Sequence, residues 1–481
     1  MHRRDGIGLF RRHVRAIVLA TLLILLLAKY YQSYVRFDIP LGYDVGIYRY
    51  LFLRYSEALP SLHLPALDPW AQEHPIGLFL FSTPLLMLGV PVGAMTGWMW
   101  NLAPVVFACA VAWVSERRFG KGTGVFVLLL ALFSQPLYDG FVAMYWKTIL
   151  SLLFTVFAYH HFEKRSLWFY PLAFLAVITH HQTGLIVALA AGTWWLLNIR
   201  SGRSDPFWRR MTVLCALLGL AAFAVYLPHF QRSFWSPFKS IFLLRGDSAP
   251  SGSFPDTMFY VRTMTVSLLL GGYGFWLRAR KSISLWELSV LWCAVFIVFK
   301  LVFYKRFFLQ LDVFLLPFAA LAITDLCTRR SFPRSGWIVV ALLAVQSIIS
   351  FQGMLLRTPS FSLARLNNIV KLGDVLPKDS AIIALENESG PWLLGWLPQQ
   401  RAGAPGLFDV PGWSYDQWER FLYGADADRK SLLSALRGET YFYLTPSFLQ
   451  YYGDHVKAFL HDPCLVPVKG QPLLRSVCTP K

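Results

Sequence analysis

Several ionisable residues stand where apolar segments of this chain end, and their types suit one kind of chemistry. Asp44 lies in Leu41-Gly42-Tyr43-Asp44-Val45, just beyond the first apolar run, with Tyr48 and Arg49 one helical turn later. A carboxylate at the mouth of a membrane cavity can take a proton from an acceptor hydroxyl as a general base. The same aspartate is also a favoured N-cap for a helix beginning at Val45. Glu73-His74-Pro75 precedes a second apolar stretch and reads as a cap and breaker. Asp139 closes a third run, Lys147 falls inside the next, and His180-His181 sits at a junction between two more. The histidine pair suits phosphate or metal, or simply a hydrogen-bonded helix break. Lys300, Lys305 and Arg306 cluster late in the apolar region; snorkelling to the interface is one use for such cations. Arginine also matches phosphate oxygens bidentately and stabilises charge developing on a leaving phosphate. Carboxylates with cations at one membrane level suit cleavage of a lipid-phosphate-linked group.

The elements that must hold these residues follow from composition. The 481 residues are 56% hydrophobic and only 15% charged, against about 25% charged in a soluble protein. That excludes a disordered chain, which needs low hydrophobicity and high charge, and a plain cytosolic enzyme. With about 20 apolar residues per crossing, about eleven helices are expected, near 14–33, 97–115, 122–138, 142–161, 167–180, 183–199, 211–228, 263–278, 284–303, 307–327 and 335–352. No small-x-small cleavage site follows the first run, only Lys29-Tyr30-Tyr31, so it is read as an uncleaved span.

The net charge of +18 could signal nucleic acid, but its distribution argues otherwise. With the N-terminus inside, the short inner loops carry Arg117, Arg118, Lys121, Lys164, Arg165, Arg200, Arg203, Arg209, Arg210, Arg278, Arg280, Lys281, Arg329, Arg330 and Arg334. With Arg3, Arg4, Arg11, Arg12 and Arg15 these make about twenty basic residues, against about nine in the longer outer loops. The asymmetry is the positive-inside signal, and no nucleic-acid partner is needed. Residues 76–93 are apolar enough to cross, yet counting them breaks the alternation at every later loop; they are expected along the outer surface as an interfacial helix.

The first outer loop, 34–95, is long for a connector and is expected to carry structure of its own. An odd span count also places the C-terminal residues outside, dividing the chain into a transmembrane domain, 1–352, and an outer domain, 353–481. There strands are expected at Ser380–Leu385 and Glu439–Leu444, with helices at Asp416–Leu422 and Ala427–Leu436, a small α/β domain. Cys464 and Cys478 both fall in it, where an oxidising compartment permits a disulfide; two free buried thiols are the alternative. Its many aromatic residues suit sugar rings, a small core or a membrane contact.

The chain resembles the C-type glycosyltransferase superfamily, closest to the branch with protein O-mannosyltransferases and the lipid A aminoarabinose transferase. The resemblance rests on Asp44 with Tyr48 opening the first outer loop, His74-Pro75 starting a juxtamembrane helix, Asp139 after the third span, and Arg306 leading to Pro317. It implies a polytopic helical enzyme of the plasma membrane using a polyprenyl-phosphate sugar on the non-cytoplasmic face. It implies Asp44 as base, with Asp139 a second candidate catalytic carboxylate. It implies Arg306, with Lys305, at the donor phosphate; His180 and His181, standing where relatives carry a lysine, are expected there from their own chemistry, and Tyr48, Arg49, His74 and Lys147 toward substrate. Relatives often carry Asp-Glu where this chain has Asp44-Val45, so the second acid is missing and no metal cofactor is expected.

The expected reaction moves a sugar from a polyprenyl-phosphate donor to a glycan, lipid or protein acceptor, with membrane lipids as surroundings. A ligase or polymerase acting on lipid-linked oligosaccharide is the alternative within the class; loop 229–262, with His229, Arg232, Lys239 and Arg245, could serve it. A transporter would more often show two matched halves and charges near the midplane, and no repeat is apparent.

Overall fold

The computed structural model describes residues 2–202, 204–231, 235, 239, 255–328, 332–408, 410–453 and 456–479. Arg203, Arg232, Arg245, Arg329 and Arg330 lie outside the described residues. Contacts divide the chain into two units. The first comprises 1–35, 75–78 and 98–357; the second comprises 36–74, 79–97 and 358–481.

The first unit is helical, and a helix stands at each of the eleven apolar segments. Among the described residues five helices are long and apolar enough to cross a membrane: His13–Phe37, Trp98–Phe119, Pro206–His229, Tyr304–Cys327 and Gly336–Leu355. A sixth span results if Thr123–Phe133 and Gln135–Val142, bent by 55° at Ser134, count as one. Phe169–Thr179 and Leu285–Val298 are shorter apolar helices. Pro206–His229 keeps only 11% of its apolar window buried, whereas Tyr304–Cys327 buries 89% and forms the centre of the unit. An apolar helix left so open faces hydrocarbon rather than water.

The 55° bend shows how the first unit orients Gln135–Val142, the helix that carries Asp139. Pro136 has no N–H, so the Leu132 carbonyl loses its normal partner four residues on. The buried Lys29 ammonium replaces it, donating to Leu132 O at 2.8 Å and Ser134 O at 3.2 Å. Ser134 hydroxyl also caps the new helix, accepting from Leu137 N at 3.0 Å, and donates to the buried Asp312 carboxylate. A buried ion pair fixes the other helix ends. Arg118, 2% exposed, meets Glu287, fully buried, at 2.7 Å, and Glu163 at 2.5 Å. Glu287 completes a capping box with Ser284 that starts Leu285–Val298.

The second unit centres on a five-stranded sheet. Its strands are β1 (Ala381–Ala384), β2 (Arg401–Gly403), β3 (Thr440–Tyr443), β4 (Leu465–Pro467) and β5 (Leu473–Ser476), in the order β2-β1-β3-β5-β4. β1 pairs parallel with β2 and β3, while β5 runs antiparallel to β3 and β4. Ile383, Trp418, Phe421, Leu433, Phe442 and Phe459 fill a core beneath it. The expected helices appear as Tyr415–Tyr423 and Asp426–Ser434. Cys464 and Cys478 form a disulfide across the β4–β5 hairpin, with Cα atoms 5.2 Å apart.

Most of the first outer loop belongs to this second unit. Val45–Ala58 packs on Gly390–Trp396, and a Cβ built on Gly46 would lie 1.7 Å from Pro391 O. The stretch expected as one interfacial helix, 76–93, is instead an eleven-residue helix, Gly77–Met87, and a short turn of helix, Val92–Thr96. Gly89, at φ 89°, and Pro91 break it.

Candidate functional site

In the first unit the candidate cations converge because two turns are forced into unusual backbone. Met144, at φ 59°, turns the chain from Gln135–Val142 into Trp146–Glu163 and presents Tyr145 and Lys147. Lys300 at φ 47° and Phe303 at φ 55° do the same before Lys305 and Arg306. Left-handed backbone at residues other than glycine is strained by about 1–3 kcal/mol and concentrates at functional sites. Lys147 and Arg306 both act electrostatically on His180 and His181. Arg306 Cζ lies 5.6 Å from the Tyr145 ring centre and 5.1 Å from that of Phe303. Its Nε is buried without a hydrogen bond, and no carboxylate pairs with it among the described residues. Lys305 stands beside it in the Tyr304–Arg306 turn.

The two histidines divide their tasks. His180 caps His181–Leu197, its Nδ1 accepting from Thr183 N at 3.3 Å and from the Thr183 hydroxyl at 2.9 Å. With Nδ1 an acceptor, Nε2 carries the proton and donates to Thr148 Oγ1 at 3.3 Å. His181 instead borders a cavity of about 620 Å³ between Phe169–Thr179, His181–Leu197 and Pro206–Tyr226. The walls are almost wholly apolar, among them Phe174, Leu185, Ala188, Leu218 and Phe223. His181 therefore links an apolar cavity to a cluster of positive charge. That pairing suits an amphiphile with a hydrocarbon tail and an anionic head.

Asp139 is 4% exposed and heads a separate network in the same unit. Its Oδ1 accepts from Gln135 Nε2 and from Arg357 Nη2, each at 2.9 Å, and its Oδ2 from Tyr260 OH at 2.9 Å. Tyr260 also lies in the electrostatic field of Tyr145, the residue beneath Arg306. Neither Tyr145, Tyr260 nor Arg357 stood out in the sequence. Arg357 carried one usable signal, a cation directly after the last apolar run.

Asp44, Tyr48, Arg49 and His74 lie in the second unit. Asp44 occupies the N-cap position of Val45–Ala58, yet its side chain makes no capping hydrogen bond. Its backbone carbonyl alone continues the helix, accepting from Tyr48 N at 3.1 Å. Next to it, Tyr43 OH donates to Asn387 O at 2.7 Å. Burial, with the Asp44 and Glu388 carboxylates nearby, raises the Tyr43 phenol well above its ordinary range, so it remains a donor. Arg49 donates to Gly395 O at 3.0 Å and covers the Trp396 ring at 5.1 Å. Tyr48 is buried against Phe52 and Phe79, and His74 meets the Trp70 ring edge-on at 6.0 Å. Glu73 ends the helix Pro69–Gln72 rather than opening the next one.

No family model and no curated protein matches the chain by sequence. Solved structures do match its fold. The apo oligosaccharyltransferase of Archaeoglobus fulgidus superposes with a TM-score of 0.65 at 11% identity, covering 94% of this chain and 72% of its own. ArnT from Cupriavidus metallidurans in the apo state gives 0.56 at 10% identity, covering 98% and 99%. The same ArnT bound to undecaprenyl phosphate gives 0.53 at 13% identity, covering 98% and 99%. The chain thus shares its fold with these two proteins, and its described residues include helices long and apolar enough to cross a membrane.

Proposed function

We propose that this chain is a membrane glycosyltransferase that moves a sugar from a polyprenyl-phosphate donor to an acceptor outside the cytoplasm. The observation that carries the reading is His181, which borders the apolar cavity and stands in the field of Lys147 and Arg306. An isoprenoid tail suits the cavity, and a phosphate suits the cations. The neighbour ArnT, whose structure holds undecaprenyl phosphate, supports the same class of ligand.

Roles follow from chemistry. Asp44 is the proposed base, the carboxylate at the start of Val45–Ala58 that the motif with Tyr48 singles out. It takes the acceptor proton as the acceptor oxygen attacks the anomeric carbon, and the bond to the lipid phosphate breaks with inversion. Arg306 and Lys305, with Lys147 and His181, bind the departing phosphate and stabilise its charge. His180 holds the turn that presents His181, and Asp139 joins the donor side through its network with Tyr260. Tyr48, Arg49 and His74 are assigned to the acceptor side. The eleven helices are read as eleven crossings of the plasma membrane, with the N-terminus inside and the second unit outside.

The test is transfer of a labelled sugar from a polyprenyl-phosphate donor by the purified, reconstituted protein. Asp44→Asn is expected to lower the rate by about 10²- to 10⁴-fold while donor binding persists. Wild-type transfer by Asp44→Asn would overturn the base assignment. Undiminished donor binding by Arg306→Gln would overturn the phosphate assignment.

A further inference from the structure

We propose that Arg357 is a second phosphate-binding residue of the first unit and that Asp139 is its positioning partner. The inference rests on the lipid-phosphate reading above and adds to it a residue at the far end of the last long helix.

The argument begins with the asymmetry of the ion pair. Asp139 is 4% exposed, but the Arg357 side chain is 39% exposed. The carboxylate is enclosed, while much of the guanidinium stays within reach of a ligand. Arg357 uses Nη2 toward Asp139 Oδ1 at 2.9 Å. Guanidinium carries five N–H donors in a rigid fork, and among the described residues no other polar group engages this one. One edge is therefore pinned while the rest remains for an anion, the geometry in which arginine grips phosphate.

Asp139 is built to hold that pose. Tyr260 OH and Gln135 Nε2, each at 2.9 Å, fix the carboxylate in addition to Arg357. Three donors on two oxygens make it a firm anchor. Gln135 belongs to the helix whose direction is set by the Lys29-supported break at Ser134, so the anchor is rigid from below. Tyr260 in turn stacks on Phe308 with ring centres 4.9 Å apart, two residues beyond Arg306. Tyr145 lies beneath Arg306 and in the field of Tyr260. Tyr145 thus lies under Arg306, while Tyr260 shares the Asp139 carboxylate with Arg357. The ligand chemistry is a phosphate group, supplied by the lipid donor or by the headgroup of an anionic phospholipid.

The experiment measures binding of a polyprenyl monophosphate to the full-length protein in nanodiscs of phosphatidylcholine, then in discs doped with phosphatidylglycerol. Arg357→Gln is expected to weaken binding by about tenfold, the loss of one charge-assisted contact, with partial recovery in Arg357→Lys. Asp139→Asn is expected to weaken it as well, and the double variant to bind no worse than Arg357→Gln alone. Thermal unfolding of each variant in the same nanodiscs checks that a folded protein is being measured. A loss that appears only as reduced retention of phosphatidylglycerol supports a phosphate site and assigns it to the membrane headgroup. If Arg306→Gln weakens donor binding while Arg357→Gln changes neither ligand, the proposal is overturned and the functional reading stands. If neither variant affects the donor or the retention of phosphatidylglycerol, both fall.

Discussion

Gly46 and Gly395 meet backbone to backbone: a Cβ built on Gly395 would lie 2.5 Å from the Gly46 α-carbon. Gly46 is two residues from Asp44, and Gly395 belongs to the helix Gly390–Trp396 that follows β1. Only a pair of glycines permits this approach, so the helix bearing the proposed base is seated on a helix more than three hundred residues away in sequence.

Gly395→Val is therefore expected to displace Val45–Ala58. Overpacking commonly destabilises by about 1–3 kcal/mol, and here the obstacle is backbone, which yields less readily than a side chain. Sugar transfer should fall sharply while polyprenyl-phosphate binding, a property assigned to the first unit, remains. Normal transfer together with a normal thermal midpoint would show that the close approach is unimportant.

The apolar cavity offers a different test. Gly192 and Gly219 both line it, and a Cβ on either meets nothing within 4 Å. Leucine there fills cavity space rather than protein, and it favours helix over glycine by up to about 1 kcal/mol. Gly192→Leu and Gly219→Leu should keep or raise the melting temperature while increasing KM for a long-chain donor. A short-chain donor should be affected less. Unchanged KM for donors of every length would assign the cavity to something other than the lipid tail.

Glu287→Gln should lower stability without touching the proposed chemistry. Arg118 would keep Glu163 but lose its buried partner at 2.7 Å. Breaking a buried pair by removing one partner costs about 3–5 kcal/mol, and the remaining contact with Glu163 should reduce that figure. The measurement is thermal unfolding in detergent alongside transfer per folded molecule. A lower melting temperature with unchanged specific transfer is the expected outcome.

The amino-acid sequence determined the helical segments, since an apolar run long enough to become a helix in a membrane is a local property readable residue by residue. Leu285–Val298 and Phe307–Thr328 are instances. β1 and β3 were equally legible, as short apolar runs after turn signals, and so was the cysteine pair that closes the β4–β5 hairpin. Lys147, His181 and Arg306 were visible as costly charges in oily surroundings. Their convergence was not visible, because it depends on left-handed turns at Met144, Lys300 and Phe303 that no glycine announces. The three donors on Asp139 come from residues 4, 121 and 218 positions away. Hydropathy adds up along the chain, whereas a hydrogen bond depends on distance and angle. Only the packed helices, therefore, could bring Arg357 to Asp139, give Lys29 the carbonyls left open by Pro136, and seat the helix of Asp44 on Gly395.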